Sequence, residues 1–493
     1  MRLRERFLWI VVVYGALCRL REYLAYRSLW VDEAKFAVKV MDYSYLQMLN
    51  PLKVISDPFS VKFSTAGPLG FFYLTKFLTQ MLGNNEFILR FFPCISSIIA
   101  VFVMMKLVKK NCEPLTVVIS VALISIDSVL IGRSADFHPY ASDVLVSLIL
   151  FLLVDRIRRT QLTIRGVFFY VIFGMLAISF SLPSIFVLIG LGVAYVINLC
   201  IEKRRKEIVL AISMISLWIL SFAFYYFGYI KIFSDTESFP EGGYIRRIAD
   251  ILPIFYNLFK NDPMNYQYWY VPASLLILGC VFTFLRNRIL FMYLAFPVLV
   301  TLLASVFGKY PFHGRLILFL TPVFIVFIAQ GTSKVMQFFW AKAPWVVVVI
   351  LISLFLDPLL YSAKRLIKPI YREEIRPVIA KAKMLRKAGE PLYVYAYAGP
   401  AFHYYAKRFH IDEKETSIGL YHHQIPEQGQ TDIDSLLAKD KIWVIYCHVN
   451  NDVGRQFLEY LDQVGNKEAS YLKPGAGLLL YNFKLKDNHA IRY

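Results

Sequence analysis

Long apolar runs separated by short polar stretches fill the chain from residue 7 to about residue 360. A helix needs about 20 mainly apolar residues to cross a bilayer core, and runs of that order recur along this part of the sequence. Basic residues punctuate them in a regular way. Arg2, Arg4 and Arg6 precede the first run, at 7–20. Lys109 and Lys110 close the second, and Arg156, Arg158 and Arg159 the fourth. Lys203, Arg204, Arg205 and Lys206 close the sixth, Arg286 and Arg288 the eighth, and Lys334 and Lys342 the tenth. Lysine and arginine concentrate in cytoplasmic loops. The pattern therefore predicts a polytopic α-helical membrane protein of about eleven transmembrane helices, with the N-terminus inside and the C-terminus outside. The fifth and sixth runs are tightly linked near Pro183.

The stretches between the runs are structured in pattern. The first outer loop, 21–87, contains Leu-rich sequence from Pro68 to Gly83 that predicts an amphipathic helix lying on the membrane, opened by the proline. A second outer loop, about 231–270, carries Gly242, Gly243 and the aromatic cluster Tyr266 to Tyr270. From residue 361 the composition turns soluble. Helical periodicity at 371–387, 401–408 and 454–464 alternates with strand-like runs at 392–397, 442–446 and 477–483. This predicts a transmembrane domain over 1–360 and a small extracytoplasmic α/β domain over 361–493.

Composition agrees. The 493 residues are 57% hydrophobic and only 18% charged, which is outside the range of soluble domains. The net charge of +19 gathers at the ends of apolar runs, a distribution that speaks for membrane topology and anionic lipid headgroups and against nucleic acid. The six cysteines show no Cys-x-x-Cys spacing and read as small buried residues, with no disulfide framework or zinc site. Acidic and aromatic residues follow the first run where a cleavage site would need small ones, so it reads as a retained helix. No Asn-x-Ser/Thr sequon occurs, which favours a bacterial inner membrane over the endoplasmic reticulum.

Three outer stretches carry candidate chemistry. Ser28-Leu29-Trp30-Val31-Asp32-Glu33-Ala34 places two adjacent carboxylates where the chain leaves the membrane, a costly position unless solvent, a partner or chemistry requires them. Asp32 equally fits a helix N-cap. Arg133 through Asp143 packs Arg133, Asp136, His138, Tyr140 and Asp143 into one turn. A snorkelling arginine and a helix-capping Asp143 would explain it without function. Tyr310 to Arg315 ends in an arginine suited to phosphate recognition or to interfacial anchoring. His403, His410, His422, His423, His448 and His489 show no metal-ligand spacing and receive no role. There is no phosphate-binding loop of the Walker type, dinucleotide fingerprint or nucleophile elbow.

Leu-Trp-x-Asp-Glu-Ala after a first membrane helix resembles the first outer loop of the C-type membrane glycosyltransferases, which include protein O-mannosyltransferases, lipid A aminoarabinose transferases and bacterial glycosyltransferase family 39 proteins. The resemblance extends to Gly83, Glu86, Leu89 and Arg90, with Gly67 departing where relatives carry proline. It also covers Asp136-Phe137-His138-Pro139-Tyr140-Ala141-Ser142-Asp143-Val144, with His138 where relatives often carry lysine, and Tyr310-Pro311 followed by Gly314-Arg315. What the resemblance implies is transfer of a sugar from a polyprenyl-phosphate donor to a glycolipid, polysaccharide or protein acceptor on the outer side of the membrane. In such an enzyme Asp32 is the catalytic carboxylate with Glu33 beside it. Arg133, Asp136, His138, Tyr140, Asp143, Arg315 and Arg90 would bind donor phosphate and substrate, and a His138 contact would be pH-sensitive. No cofactor is required; Asp32 and Asp136 leave a divalent metal possible, with no ligand set assigned.

A lipid or solute transporter or flippase would also need polar residues near the membrane, but predicts midplane charge and repeat symmetry, neither of which this sequence displays. A structural envelope subunit would not need Asp32, Asp136 and Asp143.

Overall fold

Each apolar run forms a helix. The computed structural model describes residues 2–49, 66–231, 243–387, 389–412, 416–419, 439–449 and 452–484. Gly242, His422, His423, His489 and the segments 51–65 and 232–242 lie outside the described residues. The described chain divides into two units. One holds 2–25, 45–49 and 66–369; the other holds 26–44 and the described residues from Ile370 onward.

The first unit is helical. It begins with α1 (Arg2–Leu24), and the second unit contributes α2 (Val31–Asp42) before the chain returns with α3 (Tyr45–Leu49). There follow α4 (Leu69–Leu82), α5 (Glu86–Asn111), α6 (Pro114–Ile126), α7 (Ser128–Arg133), α8 (Tyr140–Ile157), α9 (Ile164–Phe180) and α10 (Ser184–Ile201). Then come α11 (Arg205–Tyr225), α12 (Ile251–Lys260), α13 (Tyr270–Arg286), α14 (Arg288–Val306), α15 (Thr321–Phe339) and α16 (Pro344–Ile367). Among the described residues six helical stretches are long and apolar enough to cross a membrane: Glu86–Asn111, Ser184–Ile201, Arg205–Ile230, Arg288–Val306, Gly314–Phe339 and Pro344–Ile367. Three more, Pro114–Ile126, Ile164–Phe180 and Tyr270–Arg286, are apolar but shorter. The remaining two runs read from the sequence are α1 and α8, which carry more charge.

Two details depart from the apolar pattern. The third run does not continue unbroken to residue 131. It stops at Asp127, whose Oδ1 accepts from the Leu130 amide at 2.8 Å and starts α7 as a new helix. The carbonyls freed at the break, Ile124 and Ser125, accept from buried Arg19 at 2.8 and 3.0 Å. A broken helix at membrane depth must have such groups satisfied from within the protein. The first run also continues past residue 20, and its last turn carries Glu22, buried and 3.0 Å from Arg365 of α16.

Helices α13 and α15 approach at two glycines. A Cβ on Gly279 would lie 1.8 Å from the Phe327 carbonyl oxygen, and one on Gly331 would lie 2.0 Å from that of Leu275. Small residues let membrane helices pack backbone to backbone. The obstacle is backbone, which cannot swing aside. Gly331→Val is therefore expected to cost about 3 kcal/mol or more, at the upper end of overpacking penalties. Its readout is the thermal midpoint and the monodisperse fraction in detergent, and wild-type values for both would contradict the packing argument.

The second unit is α/β. Beyond α2 it contains α17 (Ile375–Leu385), β1 (Leu392–Val394), α18 (Gly399–Phe409), β2 (Thr416–Ile418), β3 (Lys441–Cys447), α19 (Asp452–Val464), β4 (Asn466–Lys473) and β5 (Ala476–Asn482). The strand order is β2-β1-β3-β5-β4, parallel across β2-β1-β3 and antiparallel across β3-β5-β4. Strands β1, β3 and β5 are buried and were legible as apolar runs. Strand β4 is mostly exposed, has no apolar alternation, and was not.

Candidate functional site

Asp32 lies in the first turn of α2, a helix and not a loop, and the residue at its N-cap is Trp30, not Asp32. The motif around it sorts by burial. Leu29, Val31, Glu33 and Ala34 are buried, and Asp32 is left partly exposed between them. Glu33 turns back, its Oε2 accepting from the Trp30 amide at 3.3 Å, as a residue at the third helical position does in a capping box. The two adjacent carboxylates thus do different work: Glu33 closes the helix start, and Asp32 faces the accessible side.

The segment entering α2 is held by the rest of its own unit. Glu374 accepts from the Ser28 amide and hydroxyl, both at 3.0 Å, and the Tyr405 hydroxyl accepts from the Leu29 amide at 3.0 Å. Glu373 Oε2 accepts from the Val31 amide at 3.1 Å, satisfying one of the donors a helix N-terminus leaves open. The Arg372 guanidinium lies 5.6 Å from the Trp30 ring. At the other end of α2, Asp42 is 2.6 Å from both His403 Nε2 and Lys407 Nζ of α18. Burial pushes the Asp42 carboxyl up, but those two hydrogen bonds outweigh it and hold it below the ordinary carboxylate value.

A second constellation forms in the helical unit. Arg133, at the end of α7, reaches Asp136 with one guanidinium nitrogen at 3.2 Å and Asp262 with another at 3.1 Å. Burial pulls against its charge, and the two carboxylates prevail, holding it above the ordinary arginine value. Tyr140 is the shared wall: the Arg133 and Arg315 guanidinium carbons each lie 5.7 Å from its ring centroid, and the His138 ring stacks on it at 4.0 Å. Such rings attract cations. Asp136 is buried, and its neighbour Phe137 stacks on Phe71 of α4. Beside this cluster is a small, largely apolar pocket lined by Arg133 and Tyr140 with Arg19, Leu130, Val144 and Leu318.

Arg133, Asp136, His138, Tyr140 and Arg315, scattered over nearly two hundred positions, are therefore brought together. Asp143 is buried in the first turn of α8. Arg90 is buried on α5 one turn after buried Glu86, the spacing of an i,i+4 helix pair. Among the described residues no three of His, Cys, Asp and Glu gather as a metal-holding group. Asp32 and Asp136 belong to different units.

Sequence reasoning passed over Asp262, Glu373 and His448. Asp262 sits beside a proline in a long aromatic loop, and its acidic charge near an outer helix end was the only available signal. Glu373 and Glu374 stand where the composition turns soluble, and in such a segment paired carboxylates carry no signal of their own. His448 follows a buried strand and was one of several histidines without a spacing pattern.

No protein-family model and no curated protein sequence matches the chain. Solved structures do. ArnT from Cupriavidus metallidurans in the apo state aligns with a TM-score of 0.54 at 10% identity, covering 96% of this chain and 97% of that one. The same protein bound to undecaprenyl phosphate gives 0.53 at 10% identity, covering 96% and 98%. An Archaeoglobus fulgidus oligosaccharyltransferase in complex with zinc and sulfate gives 0.52 at 13% identity, covering 96% of this chain and 73% of that one. At these identities the likeness is one of fold, and it spans both units. The chain shares its fold with ArnT and with that oligosaccharyltransferase.

Proposed function

We propose that this protein is a membrane glycosyltransferase that moves a sugar from a polyprenyl-phosphate donor to a hydroxyl of a glycolipid, polysaccharide or protein. The observation that carries this reading is the accessible Asp32, presented on the first turn of α2 directly after the first apolar helix. It does so in a fold shared with an ArnT that has been seen bound to undecaprenyl phosphate. A donor with an isoprenoid tail is met within the bilayer while its sugar-phosphate head stays at the surface. The basic residues at alternate ends of the helices support a topology of about eleven spans with the N-terminus in the cytoplasm and the C-terminus outside. The active face is then the outer one, in a bacterial inner membrane.

In the proposed reaction Asp32 takes the proton of the acceptor hydroxyl as its oxygen attacks the anomeric carbon. The new glycosidic bond forms as the bond from that carbon to the phosphate oxygen breaks. The electron pair leaves with polyprenyl phosphate, and the configuration at the anomeric carbon inverts. Arg315, with Arg133 and His138, stabilises the charge growing on the departing phosphate. Glu33 fixes the helix start that presents Asp32.

The test is release of polyprenyl phosphate, with transfer of label to acceptor, by purified protein in lipid nanodiscs given a panel of hexosyl and pentosyl polyprenyl phosphates and envelope extract. Turnover of at least one donor, abolished in the Asp32→Asn variant, is the expected result. Identical background from wild type and variant across the panel would overturn the assignment.

A further inference from the structure

The second unit contains a partly exposed ionic link that the reaction above does not use. Glu373 has one oxygen on the Val31 amide, at 3.1 Å, and the other on His448 Nδ1, at 2.6 Å. One carboxylate thus ties the first turn of α2 to an imidazole at the end of β3. His448 is held in place from two further directions. Its backbone has a φ of 59°, in the left-handed region that a non-glycine residue enters only when its surroundings compel it. Its ring stacks on Tyr397 at 5.4 Å. The sequence between Ser28 and Asp32 is also fastened by Glu374 and Tyr405, which anchor its backbone. Glu373 and His448 differ in that they bring a titratable cation to the helix turn bearing Asp32.

We propose that Glu373 and His448 are positioning residues for Asp32, with the protonated imidazole acting through Glu373 to hold the first turn of α2 and its accessible carboxylate in working geometry. This rests on the reading of Asp32 as the catalytic base. The groups facing His448 are Glu373, Tyr397, and Asp32 and Lys35 of α2. Its hydrogen bond to Glu373 raises it above the ordinary histidine value; desolvation opposes this, the charges of Glu373 and Asp32 add to it, and Lys35 works against it. The sign follows. A raised value means the cation is retained as pH increases beyond the ordinary range for histidine. The ion pair is complete below that range and is lost only as pH climbs through the shifted value. Activity should therefore have an alkaline limb set by His448.

Glu373→Gln keeps an acceptor for the Val31 amide but removes the charge that stabilises the imidazolium. His448→Asn removes the titrating group while suiting the left-handed backbone. The experiment is the pH profile of kcat/KM for sugar transfer by wild type, the two variants and Asp32→Asn in nanodiscs, with thermal midpoints measured alongside. Glu373→Gln is expected to move the alkaline limb down by about one pH unit or more, the usual effect of removing an adjacent opposite charge. His448→Asn is expected to flatten the limb and lower the rate roughly 10-fold, as a small misplacement of a reacting group does. A merely structural link would lower thermal midpoints or rates at every pH without moving the limb, and that outcome would overturn the proposal. So would profiles superimposable on wild type. If Asp32→Asn itself turned over normally, the reading of Asp32 would fail instead, and the two failures are told apart in the same set of measurements.

Discussion

Asp32→Asn is expected to lower sugar transfer by roughly 10²–10⁴-fold, the contribution of a positioned general base. The carboxamide keeps the shape and much of the hydrogen bonding, but it cannot accept the acceptor's proton at neutral pH. Folding should survive. Asp32 is partly exposed in a first helical turn whose apolar neighbours Leu29, Val31 and Ala34 do the packing. A negative charge at a helix start is worth about 0.3–1 kcal/mol, so its loss is a small term in stability. Glu33→Gln should behave differently. Glu33 is buried and accepts from the Trp30 amide, and the amide oxygen of glutamine can keep that hydrogen bond. Its effect should be milder on rate and visible in the thermal midpoint. The measurement is turnover of a polyprenyl-phosphate sugar by monodisperse protein of wild-type thermal midpoint. Near-normal turnover by the Asp32→Asn variant would remove it from the catalytic role. A dead Glu33→Gln beside an active Asp32→Asn would move the base one residue along the chain.

The helical character of the apolar runs was legible in the sequence because a bilayer imposes a strong rule on their length and composition. The break at Asp127 was not, since the residues on both sides are equally apolar. What decides it is Arg19, more than a hundred residues earlier, accepting the task of satisfying the freed carbonyls. The α/β character of the C-terminal segment was legible from buried strands β1, β3 and β5, whereas exposed β4 needs its partner to be a strand at all. Site residues followed the same divide. Arg133, Asp136, His138 and Tyr140 lie close in sequence, and local pattern suffices to group them. That 26–44 belongs with the segment from Ile370 onward depends on single long-range contacts such as Ser28 to Glu374 and Asp42 to His403. Periodicity contains no trace of these, so Glu373 and His448 stayed out of view.

Arg315→Ala is expected to raise the apparent KM for the polyprenyl-phosphate donor roughly 10–150-fold, the equivalent of losing one charge-assisted contact worth about 1.5–3 kcal/mol. Arg133→Ala should reach a similar loss by a less clean route. Arg133 is bound to Asp136, which is 2% exposed, and to Asp262, so its removal takes a cation away from a buried carboxylate. Breaking a buried pair from one side costs about 3–5 kcal/mol, and the variant should lose thermal stability as well as donor use. Arg133→Lys separates the two effects. It keeps the charge but not the planar fork that meets two carboxylates at once, so stability should be partly restored while donor KM stays raised. Arg315 lies over the Tyr140 ring, a contact worth about 0.5–1 kcal/mol where exposed. The measurement is donor titration at saturating acceptor, with thermal midpoints for each variant. If Arg315→Ala retains wild-type apparent affinity for donor in folded protein, phosphate is recognised elsewhere, and Tyr140 with its two guanidinium neighbours is an interfacial anchor for the ends of α7 and α15.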